Sequence, residues 1–320
     1  LILAVDSGFL SGNLKFAAIA AITFTEPLVR LLLAFTLIET GFPQYVYAAI
    51  PASMFFSLAI AWFAASRIKQ DRQVQDKKAT LFPTHFFAGA IATRISIFAF
   101  LSFDLILAKH FLPPREAGEY ALLSLVGKMI FFVAALFTQF MNPLVSKAEG
   151  ESKKTKHIFY KLFCLSTLAS LGAFLAVGYF GHLTVPILLG EKTKGILEFL
   201  PIYSFAIFCF TIASTIVLFY QVRRKYLFSA VSFLLALAQV IGIWLYHASL
   251  EQIIAVMAAT GIGSAVVILS LHLIYQPLAA LAGNIRDLFD LFFLAIPAKE
   301  KQASGALNIL IFNWRDTKHV

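Results

Sequence analysis

Eight apolar runs, each about as long as a bilayer-spanning helix, constrain the fold of this chain more than any other feature of its sequence. A helix crosses the hydrocarbon core of a membrane with about 20 predominantly apolar residues. Short turns with Gly, Pro or charged residues separate the runs, and such turns are long enough to join antiparallel helices. We therefore predict transmembrane helices over residues 16–38, 44–65, 81–108, 118–144, 158–181, 196–220, 227–247 and 252–275.

The composition excludes an ordinary soluble enzyme and a disordered chain. Apolar residues make up 60% of the sequence and charged residues 13%, and the mean hydropathy is +0.82. A soluble domain has about half apolar and about a quarter charged residues. We predict an all-α, polytopic membrane helix bundle with a cytoplasmic tail. The first ten residues, from Leu1, have the pattern of a helix end, so we expect the chain to be a fragment.

The net charge of +9 indicates membrane orientation rather than nucleic-acid binding, because the basic residues lie between the apolar runs. Fourteen Lys and Arg residues lie in loops on one side of the predicted bundle, and four lie on the other side. This bias is typical of loops that stay in the cytoplasm. We predict a multi-pass protein of the cytoplasmic membrane, with basic loops and tail in the cytoplasm, membrane lipids as neighbours and no nucleic-acid partner.

The sequence changes character after the last apolar run. Apolar residues recur at helical spacing over 277–297, while Arg286, Asp287 and Asp290 cluster on the other face. This pattern predicts an amphipathic helix in the membrane interface, after a transmembrane region over 1–276. Residues 298–320 begin as a polar linker and then include a short strand-like run.

Ionisable residues within a span are costly and by default mark pathways or binding sites. Glu26 and Arg30 stand four residues apart, so they share one helix face as an acid-before-base pair. Arg94 and Asp104 stand ten residues apart. On a regular helix that spacing separates them by about 80° around the axis and about 15 Å along it. These two residues can line one polar groove, but they cannot pair directly.

Lys128 lies on a predicted helical stripe with Ser124, Gln139 and Asn142. Such a stripe suits a wall that faces water inside a bundle. Two or three deep cations that face one cavity imply an anionic substrate such as a phosphate or pyrophosphate.

Each charged residue also has a structural interpretation. Glu26 and Arg30 then form a self-neutralised packing pair, Asp104 caps or anchors the outer end of its span, and Lys128 snorkels towards an interface. The apolar runs contain no catalytic constellation, metal-ligand spacing or phosphate-binding glycine loop. We predict no cofactor, no metal site and no catalytic residue in this region, and we do not expect it to be an enzyme.

Three short motifs lie between Arg94 and Glu149. They are Phe103-Asp104 late in a span, the turn Glu116-Ala117-Gly118-Glu119-Tyr120, and the helix end Asn142-Pro143-Leu144-Val145-Ser146. Together they resemble the polysaccharide-biosynthesis flippases of the multidrug/oligosaccharidyl-lipid/polysaccharide exporter superfamily. The resemblance extends over roughly residues 1–276.

This resemblance implies a two-lobe transporter of twelve or more helices, of which the chain holds the last two helices of the first lobe and the whole second lobe. It implies flipping of a polyprenyl-pyrophosphate-linked oligosaccharide through a cationic central cavity. We predict alternating access, with Glu26 or Asp104 as the site of a coupling ion, H⁺ or Na⁺. The candidate substrate-binding residues are Arg30, Arg94, Lys128, Gln139 and Asn142.

A second resemblance lies near the end of the chain. Residues 308–319, with the run Asn313-Trp314-Arg315-Asp316, resemble the first strand and loop of a family-4 GT-B glycosyltransferase. This resemblance implies that the parent polypeptide is a fusion with a sugar transferase. Two alternatives therefore stand beside the flippase: a membrane-bound glycosyltransferase, and a drug/cation antiporter of the same superfamily, which should prefer an acidic cavity.

Overall fold

The computed structural model describes residues 2–68, 84–150 and 155–294, and within these ranges the chain is helical with no strand. This confirms the predicted all-α class. Short 3₁₀ or π segments adjoin several of the helices. The α-helices are α1 (Ile2–Gly12), α2 (Phe16–Glu39), α3 (Ala49–Ser66), α4 (Thr84–Phe98), α5 (Asp104–Phe111), α6 (Pro114–Thr138), α7 (Met141–Gly150), α8 (Thr155–Ala173), α9 (Gly181–Leu189), α10 (Leu200–Val222), α11 (Leu227–Leu245) and α12 (Leu250–Leu294).

Eight helical stretches of the described chain are long and apolar enough to cross a membrane, which confirms the predicted number. Two of them combine consecutive α-helices: α4 with α5, and α6 with α7. The stretches are Phe16–Glu39, Pro43–Ser66, Phe86–Phe111, Pro114–Ala148, Thr155–Tyr179, Leu200–Val222, Leu227–Leu245 and Leu250–Tyr275.

The chain divides into two compact units, Leu1–Phe82 and Pro83–Val320. The first unit contains α1 to α3, and α2 packs along α3. The buried residues of α3 are all small and recur every four residues: Ala49, Ser53, Ser57 and Ala61. Small residues let helix backbones approach closely in a membrane, where packing rather than water exclusion drives association.

In the second unit, α10 is the central helix. It packs against α4, α6, α8, α11 and α12, and most of its residues are buried. Aromatic rings fill the space around it; the rings of Phe100 and Phe210, for example, stack with centroids 3.7 Å apart. Polar groups close to α10 are therefore shielded by helices on several sides.

A π segment, Ala99–Phe103, joins α4 to α5. A π turn adds one residue to a helix and so shifts every later side chain around the axis by about 100°. Arg94 and Asp104 are therefore separated by about 180° instead of the 80° of a regular helix. Asp104 is accordingly buried, whereas Arg94 is exposed. The Phe100 carbonyl of this segment accepts a hydrogen bond from Gln239 Nε2 on α11, at 3.3 Å.

The last apolar stretch, Leu250–Tyr275, lies within a longer helix, because α12 continues from Leu250 to Leu294. An interfacial position of the amphipathic segment that follows Tyr275 stays a prediction. Pro277 has no backbone N–H to donate, but the helix continues through it. Neither a glycine nor a charged residue stands next to Pro277. The predicted linker and transferase-like segment, 298–320, lies outside the described residues.

Gly127 on α6 gives a direct test of this packing. A Cβ atom at Gly127 would lie 2.5 Å from the Tyr203 ring, whereas a Cβ at Gly118 on the same helix meets nothing within 4 Å. We expect Gly127→Ala to destabilise the protein by about 1–3 kcal/mol through overpacking. Gly118→Ala should be neutral or slightly stabilising, because alanine favours helix. Thermal unfolding in detergent measures both changes, and equal melting temperatures for the two variants would contradict the packing described.

Candidate functional site

The site centres on the carboxylate of Asp104, where α5, α6 and α10 meet. Lys128 Nζ donates hydrogen bonds to both carboxylate oxygens, at 2.9 Å to Oδ1 and 2.8 Å to Oδ2. The Tyr120 hydroxyl donates to Oδ2 at 2.7 Å, and the Tyr203 hydroxyl donates to the same oxygen at 3.2 Å. Four donor contacts from two neighbouring helices therefore converge on one acidic group.

All four residues are buried within the second unit. Asp104, Tyr120 and Tyr203 have no exposed surface, and Lys128 is 6% exposed. A carboxylate and an ammonium are retained in such a place only when each neutralises the other and their remaining hydrogen-bonding positions are filled. The Asp104–Lys128 pair meets this condition, since both carboxylate oxygens accept hydrogen bonds.

Local geometry explains why these residues meet. The π segment turns Asp104 towards the core. Helical side chains tilt towards the helix N-terminus, so the long Lys128 side chain reaches back along α6 in the direction of Tyr120. Gly127 leaves room for the Tyr203 ring beside α6. Asp104 stands seven residues before the end of α5, which places it about 10 Å from that helix end.

The site corrects two expectations about Asp104 and Lys128. Asp104 neither caps nor anchors a helix end at the membrane surface, because it is fully buried. Lys128 does not snorkel and is not a free cation, because it forms an ion pair with Asp104. Sequence spacing gave no sign of this pair, since its members lie on different helices, 24 residues apart.

The predicted water-facing stripe is not continuous. Ser124 and Lys128 are buried in the core, but α6 ends at Thr138. Gln139 is exposed at that end, and its side-chain amide donates to the Leu136 carbonyl at 3.1 Å. Asn142 belongs to the next helix, and its side chain lies outside the description. Substrate binding by Gln139 and Asn142 stays a prediction.

The other predicted charges occupy different surroundings. Glu26 and Arg30 form the expected ion pair on α2, and Arg30 Nε also donates to Ser53 Oγ on α3 at 3.5 Å. Arg94 is exposed on α4, and its side chain forms no ion pair with any residue in the described ranges. Arg30 belongs to the first unit, and Arg94 and Lys128 belong to the second. A cavity shared by the three cations therefore stays a prediction.

Sequence reasoning missed Tyr120 and Tyr203 as members of the site. Tyr120 closes the acidic turn that the resemblance singled out, so a weak signal was present. Tyr203 had none, because an aromatic residue in an apolar run is ordinary core. Among the residues that the structure describes, no group of three or more His, Cys, Asp or Glu side chains is placed to hold a metal ion.

Removal of one charge of the ion pair is expected to destabilise the fold more than removal of both. Lys128→Met keeps the unbranched side chain except for its terminal ammonium but leaves the Asp104 carboxylate buried and unpaired, which should cost about 3–5 kcal/mol. The double variant Asp104→Asn/Lys128→Met removes both charges and should recover much of the loss. Melting temperatures in detergent measure both effects.

The matched control is Glu119→Gln, which breaks the 3.2 Å ion pair with Arg115, whose side chain is 90% exposed. A surface pair contributes about 0–1 kcal/mol, so this variant should melt close to the unaltered protein. If Lys128→Met were as mild as Glu119→Gln, or if the double variant melted lower than Lys128→Met, the buried pair would not have the role described.

No protein-family model, curated protein or solved structure matches the chain. The likeness to polysaccharide flippases therefore stays a resemblance of sequence motifs. The features of the described chain that bear on function are the spans, the Asp104–Lys128 pair and the exposed Arg94.

Proposed function

We propose that the chain belongs to a transporter that flips a polyprenyl-pyrophosphate-linked oligosaccharide across the cytoplasmic membrane, with its basic loops in the cytoplasm. Eight apolar helices support a multi-pass membrane protein. Arginine and lysine residues within the spans support an anionic substrate, and so does the motif resemblance. The product would serve the biosynthesis of cell-surface polysaccharide.

The observation that carries this proposal is the exposure of Arg94 within a span. Arg94 stands eight residues from the Phe86 end of the stretch Phe86–Phe111, or about 12 Å along the helix. An arginine near the centre of a span costs at least about 2.5–3.5 kcal/mol when it faces lipid. A phosphate or pyrophosphate group offers the guanidinium two parallel hydrogen bonds and an opposite charge. An anionic headgroup that moves past α4 would therefore compensate this cost.

Asp104 and Lys128 have a different role in the proposed transporter. Protonation of Asp104 would remove the charge that holds Lys128, and the tyrosine hydroxyls would lose their ionic acceptor. The three helices α5, α6 and α10 could then separate at this point. An ion gradient would in this way bias the exchange between inward-open and outward-open states, as alternating access requires.

The buried carboxylate also favours a second candidate, a drug/cation antiporter. Such a protein needs an acidic group that exchanges a proton for a cationic substrate, and Asp104 is an acidic group within a span. Lys128 argues against it, since a fixed cation beside the carboxylate repels a cationic substrate. The glycosyltransferase alternative depends on residues 308–319, which lie outside the described ranges, and stays a prediction.

Transport in proteoliposomes tests the flippase proposal. We expect the protein to move a fluorescent polyprenyl-pyrophosphate oligosaccharide between leaflets but not a fluorescent phosphatidylcholine. Arg94→Gln should lower the rate of transport by roughly tenfold or more, since one hydrogen-bonded charge contact is lost. Arg115→Gln, a surface arginine at a helix end, should transport normally. Unchanged transport by Arg94→Gln would contradict binding at Arg94, and uptake of a lipophilic cation instead would favour the antiporter.

A variant that lacks both buried charges tests whether transport is coupled to an ion gradient through this pair. The double variant Asp104→Asn/Lys128→Met should no longer respond to a pH or Na⁺ gradient imposed across the vesicle, because neither residue can change its charge. The unaltered protein should respond to one of the two gradients. Melting temperature confirms that the double variant is folded. An equal gradient response in both proteins would assign coupling elsewhere, with Glu26 as the next candidate.

A further inference from the structure

A cavity in the first unit has no part in the proposed transport path. It lies beside the turn between α1 and α2 and the C-terminal end of α3, and its volume is about 290 Å³. Its apolar wall includes Leu10, Ala64 and Ile68, and two basic residues, Lys15 and Arg67, also line it. Small and aliphatic side chains therefore adjoin two positive charges.

The turn that positions Lys15 has an unusual backbone. Leu14 adopts a left-handed conformation with φ of 54°, which non-glycine residues rarely adopt. The turn is closed by hydrogen bonds from Leu14 N–H to the Ser11 carbonyl and from Lys15 N–H to the Leu10 carbonyl, both 3.0 Å. A left-handed residue commonly ends a helix, and Arg224 adopts the same conformation after α10, with φ of 56°. Here the turn fixes Lys15 at the cavity.

Neither basic residue is neutralised within the part of the chain that is described. Lys15 and Arg67 form no ion pair with a carboxylate there. The Arg67 guanidinium lies 4.2 Å from the centroid of the Phe63 ring, a contact that orients the group and leaves its charge in place. The cavity therefore presents two positive charges to any molecule that enters it.

The position of the cavity indicates which anion it would receive. Lys15 directly precedes the stretch Phe16–Glu39, and Arg67 directly follows the stretch Pro43–Ser66. Both residues thus stand at span ends, at the depth where lipid headgroups lie. Basic pockets between transmembrane helices at this depth suit anionic lipid headgroups. The aliphatic wall favours a phosphate that is attached to acyl chains over a free phosphate ion.

We propose that this cavity binds the phosphate headgroup of an anionic phospholipid, which stays bound as a neighbour of the protein and is not transported. Lys15 and Arg67 contact the phosphate, and the wall formed by Leu10, Ala64 and Ile68 contacts the lipid beyond it.

Native mass spectrometry of the full chain in a neutral detergent tests the proposal. We titrate phosphatidylglycerol, phosphatidylcholine and inorganic phosphate in separate experiments. We expect one phosphatidylglycerol to be retained in preference to phosphatidylcholine. The variant Lys15→Gln/Arg67→Gln should lower the affinity for that lipid by roughly tenfold or more, since it removes both charges. Lys15→Gln alone should lower the affinity less, and it provides the test if the double variant does not fold.

The matched control is Arg224→Gln, which removes one exposed basic residue from the turn between α10 and α11. This variant should retain the lipid as the unaltered protein does. If Arg224→Gln and Lys15→Gln lowered the affinity for phosphatidylglycerol equally, the lipid would be attracted to basic loops in general, and the proposal would be overturned. Equal retention of phosphatidylcholine, or binding of inorganic phosphate as strong as that of phosphatidylglycerol, would also overturn it. The readout is lipid retention, so its result is independent of transport.

Discussion

The second unit depends on the neutralisation of Asp104 by Lys128 inside a membrane bundle. An isolated charge there would lack both water and a counter-ion, which costs several kcal/mol. The pair avoids that cost, and Tyr120 and Tyr203 fill further hydrogen-bonding positions of the carboxylate. Because the four residues come from α5, α6 and α10, the requirement to satisfy one carboxylate also fixes how these helices pack.

A change of one residue in helical register decides which charge is neutralised. The π segment before α5 rotates Asp104 into the core, while Arg94 on α4 stays on the opposite face. The Phe100 carbonyl in this segment accepts a hydrogen bond from Gln239, so the irregular backbone is supported by a neighbouring helix. Without the π turn the two charges would lie on nearby faces of one regular helix. The segment thus separates an enclosed charge from an accessible one.

The sequence was sufficient for those features that depend on local pattern. Apolar runs predicted the eight spans because length and hydropathy decide whether a helix can cross a bilayer. The spacing of Glu26 and Arg30 predicted their ion pair because both lie on one turn of one helix. The partner of Asp104 was not predictable in this way, since Lys128 belongs to another helix and the π turn alters the register. The stripe from Ser124 to Asn142 assumed one uninterrupted helix, whereas α6 ends at Thr138.

Enclosed and accessible charges impose different demands on the proposed transporter. The Asp104 carboxylate is already occupied by an ammonium and two hydroxyls, so a passing phosphate gains nothing from Lys128 unless that pair first separates. Arg94 needs no such step, because no described carboxylate competes for its guanidinium. Substrate contact and ion coupling would then act on opposite faces of the same helical segment, α4 to α5. In the proposed transporter, a proton at Asp104 and an anion at Arg94 would influence each other through a rotation of that segment, without any direct contact between the two residues.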